Sequence, residues 1–187
     1  MKNAIILHGQ PSREEYYDPT MPSMSNAHWI PWLQGQLLKN DIMAATPEVP
    51  HAFKPDWDTW VKEVERFDIT PKTIIVGHSR GGDFWLRYLS EHKDVKVGRV
   101  VLVAPSLGFL TLDDNYFGEF VIDPDLAKRT NGITLFHSDN DGQNMINTAE
   151  KLIGTIKNLK HQEFHLGHFT SGSMGTTEFP ELLNEVL

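Results

Sequence analysis

Short apolar runs alternate along this chain with longer segments in which apolar residues recur every three or four positions. Most runs are rich in branched side chains and are bounded by Gly, Pro or polar residues, a pattern typical of buried parallel strands. The alternation predicts about six strands. The stronger predictions lie at 4–7, 73–76, 100–104 and 133–136, and the weaker ones at 41–46 and 162–166.

The segments between these runs have the spacing of amphipathic helices. Trp57, Trp60, Val61 and Val64, for example, recur at intervals that place them on one helical face. Similar stripes predict helices at 29–38, 57–67, 145–156 and 179–187, and a further helix after Gly81. Strands that alternate with helices form a mostly parallel sheet covered on both faces, with right-handed crossovers. The chain is therefore predicted to be a three-layer α/β protein with a single domain over 1–187.

The stretch 105–130 interrupts this alternation. It mixes apolar residues, among them Leu107, Phe109 and Phe120, with acidic and turn residues. Two interpretations fit it. We favour an ordinary crossover that contains one helix over a small flap above a pocket.

Composition narrows the classes of partner and chemistry. The chain has 187 residues, and 17 Lys and Arg against 25 Asp and Glu leave a net charge of −8. Such a surface repels phosphate backbones and anionic lipid, so neither a nucleic acid nor a membrane partner is expected. The absence of cysteine excludes thiol nucleophiles, disulfides and thiolate metal sites. The first apolar run is too short for a signal peptide or a membrane span, and a cytoplasmic protein is predicted.

The segment Gly77-His78-Ser79-Arg80-Gly81 is the most informative motif in the chain. It follows a β-branched strand and precedes a helical pattern, the context in which a Gly-x-Ser-x-Gly turn lifts a serine above the end of a sheet. The small glycines leave room for this strained turn, and the N–H of Arg80 would point toward the oxyanion of a tetrahedral intermediate. A phosphate-binding loop is excluded, because Asp83 and Phe84 stand where it requires Lys and then Ser or Thr. Ser79 is the predicted nucleophile.

An acid and then a general base are expected after the serine in the chain. His168 lies beyond the last predicted strand and is the predicted base, whereas His165 lies within that strand and is the weaker candidate. Two aspartates, Asp139 and Asp141, compete for the role of the acid that orients the histidine. Either aspartate could instead cap the helix that follows.

A second donor to the oxyanion is predicted at the end of the first strand. There, the sequence Leu7-His8-Gly9-Gln10 leaves the strand in a turn that can direct the N–H of Gln10 toward the reacting carbonyl. A plain turn at the end of the strand is the alternative interpretation.

No metal or cofactor is predicted. The segment after His137 has part of the calcium-loop pattern, but His137 and Thr148 occupy the positions where that loop needs Asp and Glu. His165 and His168 could form half of a metal site, but the sequence offers no compelling set of further ligands.

Taken together, these segments resemble a known family, the small serine hydrolases related to retinoblastoma-binding protein 9. The Asn-x-x-Trp-x-x-Trp pattern that begins at Asn26 and the Gly-His-Phe segment at 167–169 are more specific than the serine turn alone. The resemblance implies a compact α/β-hydrolase fold with little or no cap, and esterase-like or peptidase-like chemistry without a cofactor. In the family the acid is the second Asp of its cluster, which implies Asp141. The matching segments are 6–9, 26–33, 56–57, 77–82, 101–105, 138–141 and 167–169.

Departures from the family pattern leave the substrate undefined. Arg80 is charged where many relatives carry an apolar or small residue, and its side chain could attract a substrate carboxylate or extend into solvent. Gly142 follows the acid where Pro or a larger residue is common. The segment 171–177 is longer and more Gly-rich than expected, and it predicts a mobile loop beside His168.

The sequence thus predicts a serine hydrolase that cleaves a small ester, thioester or amide through an acyl-enzyme. Its partner would be a small-molecule acyl substrate, and transfer to an alcohol or amine in place of water would use the same residues. The alternative is a module on a hydrolase fold that binds a protein partner and turns over little substrate. Tryptophans could form such a partner surface, although Trp at helical spacing is more often core. They are Trp29, Trp32, Trp57 and Trp60.

Overall fold

Six parallel strands form one sheet in the computed structural model, which describes residues 2–107 and 117–187. The strand order is β2-β1-β3-β4-β5-β6, and every neighbouring pair is parallel. The prediction of a mostly parallel sheet with about six strands is confirmed. The strands are β1 (Asn3–Leu7), β2 (Met43–Ala45), β3 (Ile74–His78), β4 (Val100–Val103), β5 (Ile133–Ser138) and β6 (Lys160–Phe164).

Helices connect the strands, and the five that the hydrophobic spacing predicted are present. Two short helices, α1 and α6, were not predicted, because one turn of helix is too short to show a repeating stripe. Single 3₁₀ turns lie at Met24–Asn26 and Leu126–Arg129. The helices are α1 (Arg13–Tyr17), α2 (Ile30–Lys39), α3 (Trp57–Val64), α4 (Arg80–Glu91), α5 (Gln143–Thr155), α6 (Ser171–Met174) and α7 (Pro180–Val186).

The side chains of the central strands alternate between two apolar clusters, one on each face of the sheet. Ile5 and Leu7 of β1 pack with residues of α3, α4 and α5. Ala4 and Ile6 of the same strand pack with residues of α2 and α7 on the other face. Both faces are therefore covered by helices, which explains why the central strands are apolar without alternation.

The two outer strands are less buried than the central ones. β6 exposes four of its five residues, and β2 buries only its middle residue, Ala44. These are the two strands for which the sequence signal was weak, because an edge strand has fewer neighbours that exclude water from its side chains.

Two predictions about segments between the elements have different outcomes. The interpretation of 105–130 as a crossover or a flap falls largely on 108–116, which lies outside the described residues. The segment 171–177, predicted to be a loop, instead begins with α6. Thr170 caps this helix, and its hydroxyl accepts the N–H of Ser173 at 3.2 Å.

Tryptophan serves mainly the interior of this protein. Trp29 and Trp60 are fully buried, while Trp32 and Trp57 are partly buried and pack against the two clusters. A partner surface built from these four side chains is therefore excluded.

No helix within 2–107 or 117–187 is long and apolar enough to cross a membrane.

Candidate active site

Ser79 lies on the sharp turn between the end of β3 and the start of α4. Its φ of 50° and ψ of −117° are rarely adopted by a residue with a side chain, so the turn is strained. Hydrogen bonds hold it on both sides. The N–H of Ser79 donates to the carbonyl of Val103 at 2.8 Å, and its carbonyl accepts the N–H of Gly82 at 2.9 Å. Hydrogen bonds to β4 and to the first turn of α4 therefore stabilise this strained backbone conformation.

The glycines of the motif are required by close contacts between backbones. A Cβ at Gly77 would lie 2.5 Å from the carbonyl oxygen of Gly81, and a Cβ at Gly81 would lie 2.6 Å from the carbonyl oxygen of His8. Both distances are far shorter than a van der Waals contact. The spacing of the motif thus reflects the packing of α4 against the ends of β1 and β3.

His168 contacts Asp141 at the carboxyl end of the sheet. Its Nδ1 donates to Oδ2 of Asp141 at 2.9 Å, and the other carboxylate oxygen accepts the N–H of Gly142 at 2.7 Å. The side chain of Asp141 is only 4% exposed, whereas that of His168 is 29% exposed. Since the proton lies on Nδ1 in the neutral ring, Nε2 is left as a proton acceptor.

The second aspartate of the cluster contacts a different histidine. Oδ1 of Asp139 lies 2.7 Å from Nδ1 of His165, and both side chains are largely exposed, at 53% and 77%. Neither aspartate caps α5 with its side chain, because the N-cap is Gly142 and no side-chain capping bond is formed there. The structure therefore brings together the pair His168 and Asp141 and separates it from the pair His165 and Asp139.

Two side chains, one at the end of β5 and one in the loop that follows it, accept backbone N–H groups of the loop after β6. Oγ of Ser138 accepts the N–H of Leu166 at 3.2 Å, and Oδ1 of Asn140 accepts the N–H of Gly167 at 2.9 Å. These bonds orient the segment that carries His168. The sequence alone indicates no role for Ser138 or Asn140, because neither residue type is distinctive without its partner.

Ser79 and His168 line one cavity of about 600 Å³ together with Gly9 and Gln10. A Cβ built on Gly9 would lie 3.1 Å from Cβ of Ser79, so the turn after β1 passes directly beside the serine. Arg80 is the first residue of α4, where backbone N–H groups have no acceptor within the helix. The residues predicted to supply both oxyanion donors therefore lie next to Ser79.

The side chain of Arg80 is buried, contrary to both roles considered for it. Its Nη1 donates to Oδ2 of Asp83 at 2.8 Å and to the carbonyl of Ser106 at 3.1 Å. Its Nε donates to Oε1 of Gln10 at 3.2 Å, and the amide of Gln10 donates to the carbonyl of Phe53 at 3.0 Å. Arg80 is thus neither solvated nor free to bind a substrate carboxylate. It connects Gln10 to the first turn of α4.

The partner of Arg80 is a fully buried carboxyl group. Burial raises the pKa of Asp83 to about 8, against the opposing effect of the Arg80 guanidinium. Truncating either side chain of this pair would leave the other polar group buried without its partner.

Two further histidines lie beside the site, and neither was predicted from the sequence. Nε2 of His78 donates to the carbonyl of His168 at 2.8 Å, and the two rings are 5.2 Å apart. His28 meets His78 edge to face at 5.7 Å, and its Nδ1 accepts the N–H of Ser171 at 3.2 Å. Both histidines stand within motifs quoted above, directly before Trp29 and Ser79, and this position in the sequence was the signal that could have indicated them.

Burial keeps these inner histidines uncharged. It lowers the pKa of His28 and lowers that of His78 well below its ordinary value, and the nearby His168 lowers both further. Burial also lowers the pKa of His8, whose Nε2 accepts the N–H of Val49 at 3.0 Å. The two histidine rings next to His168 are therefore polar but uncharged.

Replacing His78 by glutamine should reduce the acid sensitivity of the fold, since glutamine keeps a donor near Nε2 but does not titrate. The folded pKa of His78 lies below the unfolded value of about 6.5. Its contribution to stability is therefore complete above that pH and is lost as the pH falls below it. Between pH 6.5 and 5, the unfolding free energy of the wild type should fall more steeply than that of H78Q, by up to about 1.4 kcal/mol per pH unit. Urea unfolding across this range measures both slopes, and equal slopes would contradict a neutral His78.

Comparison with known proteins identifies relatives of this chain. A family model described as serine hydrolase matches residues 19–186. YdeN of Bacillus subtilis strain 168, which is named as a hydrolase, is 29% identical over 122 residues. That alignment covers 62% of this chain and 58% of YdeN, so it spans less than two thirds of the curated relative.

Solved structures of other proteins share the fold. The ydeN gene product of B. subtilis has a TM-score of 0.78 at 24% identity, covering 98% of this chain and 96% of that chain. Est1E of Butyrivibrio proteoclasticus, solved with ferulic acid, has a TM-score of 0.60 at 14% identity, covering 100% and 90%. Serine hydrolase CCSP0084 of Cycloclasticus zankles has a TM-score of 0.62 at 17% identity, covering 98% and 88%. These likenesses confirm the α/β-hydrolase fold.

Proposed function

The chain belongs to the serine hydrolase family, and from this we propose that Ser79, His168 and Asp141 form a catalytic triad that hydrolyses a small ester, thioester or amide. One observation carries the proposal. His168 lines the same cavity as the strained Ser79 while its Nδ1 donates to the buried carboxylate of Asp141. This contact leaves Nε2 free to accept a proton in the cavity.

In the first half of the proposed reaction, Oγ of Ser79 attacks the acyl carbonyl carbon while Nε2 of His168 takes the hydroxyl proton. The backbone N–H groups of Gln10 and Arg80 stabilise the negative charge on the carbonyl oxygen. The tetrahedral intermediate then collapses. His168 returns its proton to the leaving group, and the acyl group remains on the serine.

In the second half, water replaces the leaving group. His168 takes a proton from the water as its oxygen attacks the acyl-enzyme, and it then returns that proton to Oγ of Ser79. The products are a carboxylic acid and the restored serine. Throughout, Asp141 holds the ring in one tautomer and stabilises the imidazolium that forms twice.

The proposal is tested by intact-mass spectrometry after incubation with a fluorophosphonate. We expect a single adduct on the wild type, no adduct on Ser79→Ala and much slower labelling of His168→Ala, because only an activated serine reacts rapidly. Circular dichroism verifies that each variant is folded. Absence of an adduct on folded wild type would refute the active hydrolase and favour the protein-binding alternative.

Three narrower statements belong to the same proposal. Kinship with the serine hydrolases related to retinoblastoma-binding protein 9 rests on the motifs quoted above, among them Asn26 to Trp32 and 167–169. A small-molecule acyl substrate is suggested by the size of the cavity. A cytoplasmic location stays a prediction from the sequence.

A further inference from the structure

The cavity that contains Ser79 is also lined by two carboxylates, Glu15 and Glu48. Each has one oxygen held by a backbone donor. Oε2 of Glu15 accepts the N–H of Ser12 at 2.8 Å, and Oε2 of Glu48 accepts the N–H of Ser25 at 2.7 Å. Such hydrogen bonds restrict the position of each carboxylate.

No cation balances these carboxylates in the lining. Among the described residues that line the cavity, none is Lys or Arg. His28 and His78 line it as neutral rings, since burial lowers the pKa of each. Arg80, the charged residue next to Ser79, is not part of the lining, and its guanidinium is held by Asp83, Gln10 and the carbonyl of Ser106. The described lining therefore offers two carboxylates and no lysine or arginine side chain to balance them.

An aromatic ring and two thioethers lie in the same lining. Tyr16 packs against Phe53 and Tyr17, with ring centroids 5.0 and 5.1 Å away, and its hydroxyl accepts the N–H of His51 at 3.1 Å. Met21 and Met24 complete this part of the wall. Aromatic faces attract organic cations, and thioethers pack well against their alkyl groups.

We infer that this cavity selects acyl substrates that carry an organic ammonium group, bound beside Glu15, Glu48 and Tyr16 while the acyl carbonyl lies at Ser79. This substrate class rests on the proposed function. Carboxylates, an aromatic ring and apolar side chains together match a charged nitrogen bearing hydrocarbon groups. An acyl group with a second carboxylate would be repelled by the same residues.

Two matched esters test the inference. One is the nitrophenyl ester of γ-trimethylammonio-butyrate, and the other is its isostere with carbon in place of nitrogen, so that the two differ in charge but hardly in shape. The ratio of their kcat/KM values, divided by the ratio of their rates with hydroxide, reports the selectivity of the cavity. We expect the cationic ester to be preferred by about tenfold at low salt, since each partly exposed carboxylate contributes about twofold to fivefold. The preference should shrink as ionic strength rises.

Glutamine variants remove the charges and keep the hydrogen bonds. Gln can replace Glu15 in the capping box of α1, and at position 48 its amide oxygen can still accept the N–H of Ser25. In the double variant E15Q/E48Q the selectivity ratio should fall to about one. E150Q, which removes an exposed charge on α5 outside the cavity lining, is the matched control and should keep the wild-type ratio.

A binding measurement separates the substrate class from the catalytic proposal. Calorimetric titration of Ser79→Ala with the matching methyl ketones compares the cation and its isostere without turnover. Tighter binding of the cation supports the inference even if no ester is hydrolysed, in which case only the proposed function fails. Equal binding, or an ester preference that survives in E15Q/E48Q, would overturn the inference whether or not the esters are hydrolysed.

Discussion

Replacing Ser79 by alanine is expected to lower kcat for an activated ester by about a million-fold, and replacing His168 by alanine should cost nearly as much. The two residues act as one unit, because the hydroxyl attacks only as the imidazole takes its proton. The double variant should therefore be hardly slower than either single variant, since removing the nucleophile already abolishes the step that needs the base.

The measurement is steady-state hydrolysis of a nitrophenyl ester by the wild type, both single variants and the double variant. Fluorophosphonate treatment of each variant quantifies any contaminating wild-type enzyme, which would otherwise set the lowest activity that the assay can report. Thermal unfolding monitors the fold, because Ser79 occupies a strained turn and alanine must adopt the same φ of 50°. Losses that multiply in the double variant would show that the two side chains act independently and would contradict the triad.

Replacing Asp141 by asparagine is expected to lower kcat by about ten-thousand-fold, while the same change at Asp139 should alter it little. The carboxylate of Asp141 is buried and accepts the N–H at Nδ1 of His168. An amide can present its NH₂ group to that nitrogen, which favours the ring with its proton on Nε2 and prevents it from acting as a base. Asp139 contacts only the exposed His165 among the histidines near the site, so D139N is a matched control two positions away.

The same ester assay compares D141N and D139N, with KM and kcat measured separately. Loss of an orienting contact should appear in kcat, because substrate binding does not require the proton transfer. A larger loss in D139N than in D141N would reverse the assignment of the acid. Chemical unfolding of D141N shows whether a loss of activity is accompanied by a loss of folding. If it is, His168→Ala supplies an independent test of the same pair.

Local patterns in the sequence were enough to predict the architecture and a serine hydrolase. The central strands and the five longer helices follow from the spacing of apolar residues. Burial on both faces of a strand gives a continuous apolar run, and burial along one side of a helix gives an apolar residue every three or four positions. The serine turn was equally visible. A Cβ at Gly77 would meet the backbone of Gly81 within one strand-turn-helix unit, so this requirement for a small residue is expressed over five positions, whereas the contact of Gly81 is with the end of β1.

Only the tertiary structure decided how distant residues pair. Asp139 and Asp141 have the same chemistry and nearly the same position, and the geometry of the loop after β6 determines which of them meets His168. The pairing of Arg80 with Asp83 and the burial of His78 also could not be read from the sequence.

The difference between what the sequence predicted and what only the tertiary structure decided has a physical cause. Secondary structure and its turns depend on neighbours along the chain, so their requirements leave a periodic or short-range trace in the sequence. The contacts of His168, the enclosure of Asp83 and the carboxylates in the cavity depend on segments that meet only after the parallel strands have brought their carboxyl ends to one edge of the sheet. A single sequence names those residue types but does not give the distances between them.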